Sequence, residues 1–194
     1  MLLVITAIAL VLSVPLARGH LSRLADIRIR AIWAVLLAVA IQVGISDVAP
    51  SGSHGVHVAL NIASYMLDAY FLFANRRIAG VPIVSLGAGL NILAISSNGG
   101  VMPASASALR ISGIDPRAGF DNSAHLVHAH LAFLGDVIPV PGPWPIGNVL
   151  SIGDLTIFVG ALIVLHRVCG SRLFPPSRRR ARISGDARGS TAGI

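Results

Sequence analysis

Asp136 and Asp154 are the side chains whose type and spacing best suit chemistry. They flank a Pro/Gly/Trp loop inside Phe133–Leu165, which reads FLGDVIPVPGPWPIGNVLSIGDLTIFVGALIVL. Two carboxyls brought together across such a loop share a proton and divide the work of acid/base catalysis. The ionised one takes a proton from water, and the protonated one donates to a carbonyl. That scheme cleaves an amide or ester without a metal or a covalent intermediate. A second reading stays open beside it: Asp136 caps a turn, and Asp154 caps the helix that follows.

Other residues join the candidate list. Asn98-Gly99-Gly100-Val101-Met102-Pro103 reads as a tight turn, because Asn and Gly accept left-handed backbone angles. The Asn98 amide could hold a substrate backbone or orient a carboxylate. His54 and His57 form one His-x-x-His pair, and His125 and His128, with His130 nearby, form another. Each pair falls on one helix face, so His125 and His128 are weak candidates for metal or haem ligation. Histidines at an interface, hydrogen-bonded or wet, are the default reading. Gln42, Asn61, Asp68 and Asn91 interrupt apolar runs. Asp68 is the costliest of these and is expected to pair with a neighbouring helix or to mark a proton or ion path.

The elements that would position these groups are helices. The chain has 194 residues, 54% hydrophobic and 12% charged. A typical soluble domain carries about 25% charged residues. The apolar residues fall in blocks near the length that crosses a bilayer. The expected fold is therefore an all-α polytopic membrane bundle of five spans, at about 1–17, 29–45, 56–74, 78–96 and 148–168. A short re-entrant or interfacial helix is expected at 123–135. Residues 1–168 form the membrane domain, and 169–194 a disordered, basic cytoplasmic tail. The small residues Gly80, Gly87, Ala88 and Gly89 suit close helix contact.

All basic residues are Arg, and thirteen of the fifteen lie in 18–30, 75–77 and 167–194. Positive charge marks the cytoplasmic side. The expected placement is the bacterial inner membrane, with the N-terminus outside and the C-terminus inside. The net charge of +7 sits at span ends and in the tail, so it does not imply nucleic acid. Cys169 is the sole cysteine, which excludes an intrachain disulfide.

The combination NGGVMP, FLGD, PxPWP and SIGD in a short five-span chain resembles the bacterial membrane family called domain of unknown function 5317. That resemblance implies an inner-membrane protein and supplies no activity. Phe133–Leu165 is also similar to the C-terminal part of lipoprotein signal peptidase. Asp136 and Asp154 fall on that family's two catalytic aspartates, and Trp144 and Pro145 fall in its Trp/Pro loop. Ser151 stands where that family has Asn, Gly153 where it has Ala, and Asn98 and Gly100 resemble its Asn-x-Gly element. Its Gly-Asn-x-x-Asp-Arg element is missing, with Asp121-Asn122 in its place. This likeness implies an aspartyl site at the outer leaflet, with Asn98, Gly100, Trp144 and Ser151 binding substrate.

The resulting expectation is a membrane protein with an outer-face polar site built from 97–154. The alternatives are an aspartyl hydrolase of a lipid-linked or membrane-embedded substrate and a His-ligated metal or haem protein. The lipid bilayer is the expected partner, and no cofactor is required by the first two readings.

Overall fold

The computed structural model describes residues 2–45, 54–115, 123, 124, 126, 128–142 and 147–174. The apolar blocks form helices α1 (Leu2–Leu16), α2 (Ile32–Val43), α3 (His54–Ala74), α4 (Val81–Ser97) and α6 (Ile152–Val168), with a short α5 (Ala106–Ile111) between the last two. Local chemistry sets several boundaries. Pro82 sits in the first turn of α4, where a missing N–H costs nothing. The Ser105 hydroxyl caps α5 by accepting from the Ala108 N–H. Gly99 and Gly100 follow α4 at φ +67° and +93°, angles that Gly adopts freely. A Cβ on either would meet open space, so backbone conformation alone selects them.

Two helix pairs organise the molecule: α2 with α3, and α4 with α6. The first pair is pinned by amides at both ends. Gln42 Nε2 donates to Ser64 Oγ (2.6 Å) and Asn61 Oδ1 (3.2 Å). At the other end, Asn75 accepts from the Arg30 N–H and donates to the Arg30 carbonyl. The second pair is set by glycines seven residues apart on each helix. A Cβ on Gly80 would strike the Gly160 carbonyl, and a Cβ on Gly87 the Gly153 carbonyl. The backbones therefore run at a separation only small residues permit. Helix α1 lies against α6.

Between α4 and α6 the chain forms two small sheets. Strand β1 (Met102–Pro103) pairs in parallel with β2 (Ser123–Ala124). Strand β3 (Ile138–Val140) pairs antiparallel with β4 (Asn148–Leu150), with Ile138 opposite Leu150. Buried Ala104, Ala108, Leu109 and Val149 form one small core there, and Ala94, Met102 and Leu134 another.

This fold corrects the expected bundle. No helix among the described residues is long and apolar enough to cross a membrane. At about 1.5 Å per residue, seventeen residues reach roughly 26 Å, short of a core near 30 Å; α4 and α6 are seventeen residues long, and α1 and α2 shorter. Helix α3 has twenty-one residues, but His54, His57, Asn61 and Asp68 dilute its apolar character. The five-span membrane bundle and the multi-pass inner-membrane placement, with its N-outside orientation, are therefore not supported. The helix expected at 123–135 is absent among the described residues. A strand occupies 123–124, and a single 3-10 turn spans Ala132–Leu134. Leu131 takes φ +51°, a left-handed angle that no α-helix continues through.

Candidate functional site

Asp154 is the third residue of α6, and Ser151 caps that helix. The Ser151 hydroxyl accepts from the Asp154 N–H (2.9 Å), while Asp154 Oδ2 accepts from the Ser151 N–H (2.9 Å). This reciprocal box satisfies two N–H groups that a helix start leaves open. Asn91 of α4 completes it. Its Nδ2 donates to Asp154 Oδ1 (2.8 Å), and its Oδ1 accepts from Ser151 Oγ (2.9 Å). The network forms because Gly153 has no side chain; a Cβ there would fall on Asn91 Oδ1. Both oxygens of Asp154 are thus already bonded within the chain.

Asp136 reaches the same neighbourhood by a different route. Its N–H donates to the Pro103 carbonyl (2.8 Å), and its carbonyl accepts from the Ser105 N–H (3.0 Å). The residue is buried. Two residues on, β3 begins, and the β3–β4 register carries the chain back to Leu150 and Ser151. The hairpin therefore brings Asp136 and the start of α6 to its open end. A cavity of about 340 Å³ lies beside this turn, lined by Pro103, Ser105, Phe133 and Val137 among others.

Asn91 also faces a larger cleft. Between α3 and α4, with Ile157 of α6 contributing, a space of about 700 Å³ is lined by Leu72, Phe73, Pro82, Ile92 and Ile95, with Tyr65, Asp68, Arg76, Ser85 and Asn91 as its polar groups. Size and lining match small-molecule sites, which are mostly apolar with few placed polar groups. Asp68 makes no hydrogen bond or ion pair among the described residues. Burial raises the pKa of its carboxyl from the ordinary value. Tyr65, one helical turn away, is raised in turn, first by burial and then by the Asp68 charge. Arg76 does not pair with Asp68; its guanidinium lies 3.9 Å over the Phe73 ring and donates to the Phe73 carbonyl. One of the two Asn91 amide hydrogens is used by Asp154, and the other has no partner among the described residues.

The remaining candidates are placed as follows. Asn98 does hold a backbone, but one within its own chain. Its Nδ2 donates to the carbonyls of Ala94 and His130 (both 2.7 Å), and its Oδ1 accepts from the His130 N–H (2.8 Å). Gly100 ends α4, its N–H bonding the Ile95 carbonyl. Ser151 is fully buried in the cap. His128 and His130 are exposed. No group of three or more His, Cys, Asp or Glu among the described residues could hold a metal ion. Trp144, Pro145, His125, Asp121 and Asn122, and tail residues 175–194, lie outside the described residues.

Sequence reasoning missed two features. Tyr65 stands three residues before Asp68, a spacing that puts both on one helix face. His166, near the end of α6, is fully buried between Ser13 and Ser171. A lone histidine ending an apolar helix was the available signal.

No solved structure matches this chain. A protein of Thermotoga maritima described as uncharacterised is 33% identical over 106 residues, covering 55% of this chain and 61% of the relative. The chain thus aligns with about three-fifths of that relative's length. None of these comparisons shows the likeness to lipoprotein signal peptidase. A family model described as "Family of unknown function (DUF5317)" matches residues 26–166, which takes in α2 through most of α6 and both aspartates. The chain belongs to that family.

Proposed function

We propose that this chain is a non-catalytic binding protein. It takes a small amphipathic molecule, apolar in body with a cationic or hydrogen-donating head, into the cleft between α3 and α4. One observation carries the reading: the half-buried carboxyl of Asp68 stands without a partner among the described residues, inside an apolar space of about 700 Å³. An unpaired carboxyl in such surroundings gains from a ligand ammonium or hydroxyl that replaces lost water. The Tyr65 hydroxyl and the spare Asn91 hydrogen supply further polar contacts. Because Asn91 also holds Ser151 and Asp154, ligand contact at the cleft bears directly on the start of α6.

Three aryl probes of similar size test the proposal by calorimetric titration of the full chain: phenethylamine, phenylethanol and phenylpropionate. The expected order of affinity is amine, then alcohol, then acid, and Asp68→Asn removes the preference for the amine. Equal affinity for all three, or an amine preference that survives Asp68→Asn, overturns it.

A second reading, an aspartyl hydrolase using Asp136 and Asp154, is favoured by the β3–β4 hairpin that brings both to one end. It requires a shared proton, whereas Asp154 already spends both oxygens on Asn91 and Ser151. Carboxyl-labelled aspartate NMR separates the two. If Asp136→Asn leaves the titration of Asp154 unmoved, the dyad does not exist.

A further inference from the structure

The end of the molecule far from the α6 cap holds a second arrangement. Helices α1 and α6 finish side by side and are tied by backbone bonds: His20 N–H to the Cys169 carbonyl (2.9 Å), and Arg172 N–H to the Ala17 carbonyl (3.0 Å). The second bond sets Arg172 next to Arg18. Both arginines, with Ser13, Leu16 and Leu173, line a cavity of about 500 Å³. Neither guanidinium has an ion pair or hydrogen bond among the described residues.

Behind Ser13 runs a chain of hydrogen bonds. Ser13 Oγ lies 2.9 Å from His166 Nε2, and His166 Nδ1 lies 2.7 Å from Ser171 Oγ. Ser13 Oγ is also 2.6 Å from the Leu10 carbonyl. A carbonyl only accepts, so the single Ser13 hydroxyl hydrogen points there. Ser13 Oγ must then accept from His166, which places the ring proton on Nε2 and leaves Nδ1 to accept from Ser171. Every donor in the relay points the same way, from Ser171 through His166 to Ser13 at the edge of the cavity, whose own hydrogen ends on the Leu10 carbonyl. Aligned hydrogen bonds polarise one another, so the Ser13 hydroxyl is a strengthened donor resting on a helix carbonyl. A carbonyl already bonded in its helix gives that hydrogen up readily.

The electrostatics favour an anion. Two helix C-termini contribute roughly half a negative charge each, while two guanidiniums contribute a full positive charge each, so about one positive charge remains. Two forked donors and a hydroxyl match the oxygens of a carboxylate or phosphate rather than a spherical halide. The cavity exceeds what an inorganic oxyanion fills, and Leu16 and Leu173 offer apolar contact to the excess. We propose that this cavity binds an organic oxyanion, a carboxylate or phosphate monoester carrying an apolar group, through Arg18, Arg172 and the hydroxyl of Ser13.

The test is calorimetric titration of the full chain at constant ionic strength with hexanoate, phenyl phosphate, inorganic phosphate and chloride. One saturable site is expected for hexanoate or phenyl phosphate with Kd below about 1 mM, and none for chloride. Whichever organic anion binds more tightly identifies the headgroup. Arg172→Gln is expected to weaken binding about tenfold and Ser13→Ala about threefold. As a readout independent of variant folding, saturating anion is expected to shift the ¹⁵N resonances of the His166 ring in the unaltered chain, and chloride is not. Three results overturn the proposal. The first is no saturable binding of either organic anion up to about 10 mM. The second is binding that survives the double change Arg18→Gln, Arg172→Gln, which moves the anion to the arginine-rich tail. The third is inorganic phosphate binding as tightly as phenyl phosphate, which removes the organic ligand.

Discussion

At Asp68 burial in the cleft disfavours the charge, and no cation among the described residues pairs with it, Arg76 of the same cleft being held on Phe73. The native carboxyl therefore holds its proton to higher pH than the unfolded one, whose ordinary value is 3.8. Between those two pKa values the folded chain binds more protons than the unfolded chain, so stability falls as pH rises through that window. It is highest below the unfolded value and lower by a constant amount above the native one. Asp68→Asn should flatten this slope and raise the melting temperature at neutral pH. Because the carboxyl keeps part of its water, the gain is small, on the order of 1–2 °C. Thermal unfolding of both chains across the acid range checks the sign. A variant that melts lower than the parent at neutral pH would show that Asp68 has a cationic partner. The sequence exposed Asp68, Asn91, Asp136 and Asp154 as conspicuous polar residues, but not their partners. Asp154 is legible both as a cap and as a catalyst, the cap coming first, because an Asp three residues after a Ser at a helix start satisfies both descriptions. The position of Asn91 on another helix supplies a partner that the sequence does not show.

Among the elements, α4 and α6 depend most directly on single residues. Gly153 serves two purposes: it lets the helices approach, and it leaves room for Asn91 to reach Ser151 and Asp154. Gly153→Ala should push the helices apart and break that network at once. Overpacking costs about 1–3 kcal/mol, and a buried polar group left unpaired about 1–3 kcal/mol more. The expected total is about 2–6 kcal/mol, read by denaturant unfolding. Gly89→Ala is the control, since a Cβ there meets nothing, and it should cost nothing or stabilise slightly through helix propensity. Equal effects for the two glycines would remove the close α4–α6 contact from the account. The small-residue run in α4 was readable as a contact stripe, yet sequence alone could not divide Gly80 and Gly87, which face α6, from Gly89, which does not. The five helical blocks were legible from composition for the same reason that the span assignment failed. Apolar runs mark where helices form, but four of the five end short of a bilayer's thickness, and polar residues dilute the fifth. The stretch 123–135 misled because its apolar spacing suited a helix, while Asn98 captures the His130 backbone and Leu131 turns left-handed. Helix α3 ends in the same way. Asn75, like Asn98, bonds the carbonyl four residues back and grips both polar groups of one distant residue, Arg30. A terminal Asn is thus used twice to stitch a helix end to remote chain.

For the molecule as a whole, the two helix pairs bury little of their outward faces. Trp33, Leu36 and Val39 of α2 are exposed, as are Ile8 and Leu12 of α1, and Leu36 is 64% accessible. Monomers that are stable alone rarely show contiguous apolar patches beyond a few hundred Å². Covering about 400 Å² of such surface is worth roughly 10 kcal/mol at 25 cal/mol per Å², within the range of about 4–15 kcal/mol that association costs. Two such faces together tip the balance towards association. In aqueous buffer the full chain should therefore sediment as species heavier than its 20.1 kDa monomer, and Leu36→Asp should shift the distribution towards smaller ones. The substitution is suited to the purpose because Leu36 contributes little to the α2–α3 contact, so the fold should persist and circular dichroism should stay unchanged. A monodisperse 20.1 kDa species before any substitution would mean that these faces are covered within the chain itself. In that event the cleft at Asp68, which opens between the same two helix pairs, would have to be reached by a path the cover leaves open. Sedimentation with and without a bound aryl amine would then decide whether filling the cleft and covering the helices are one event or two.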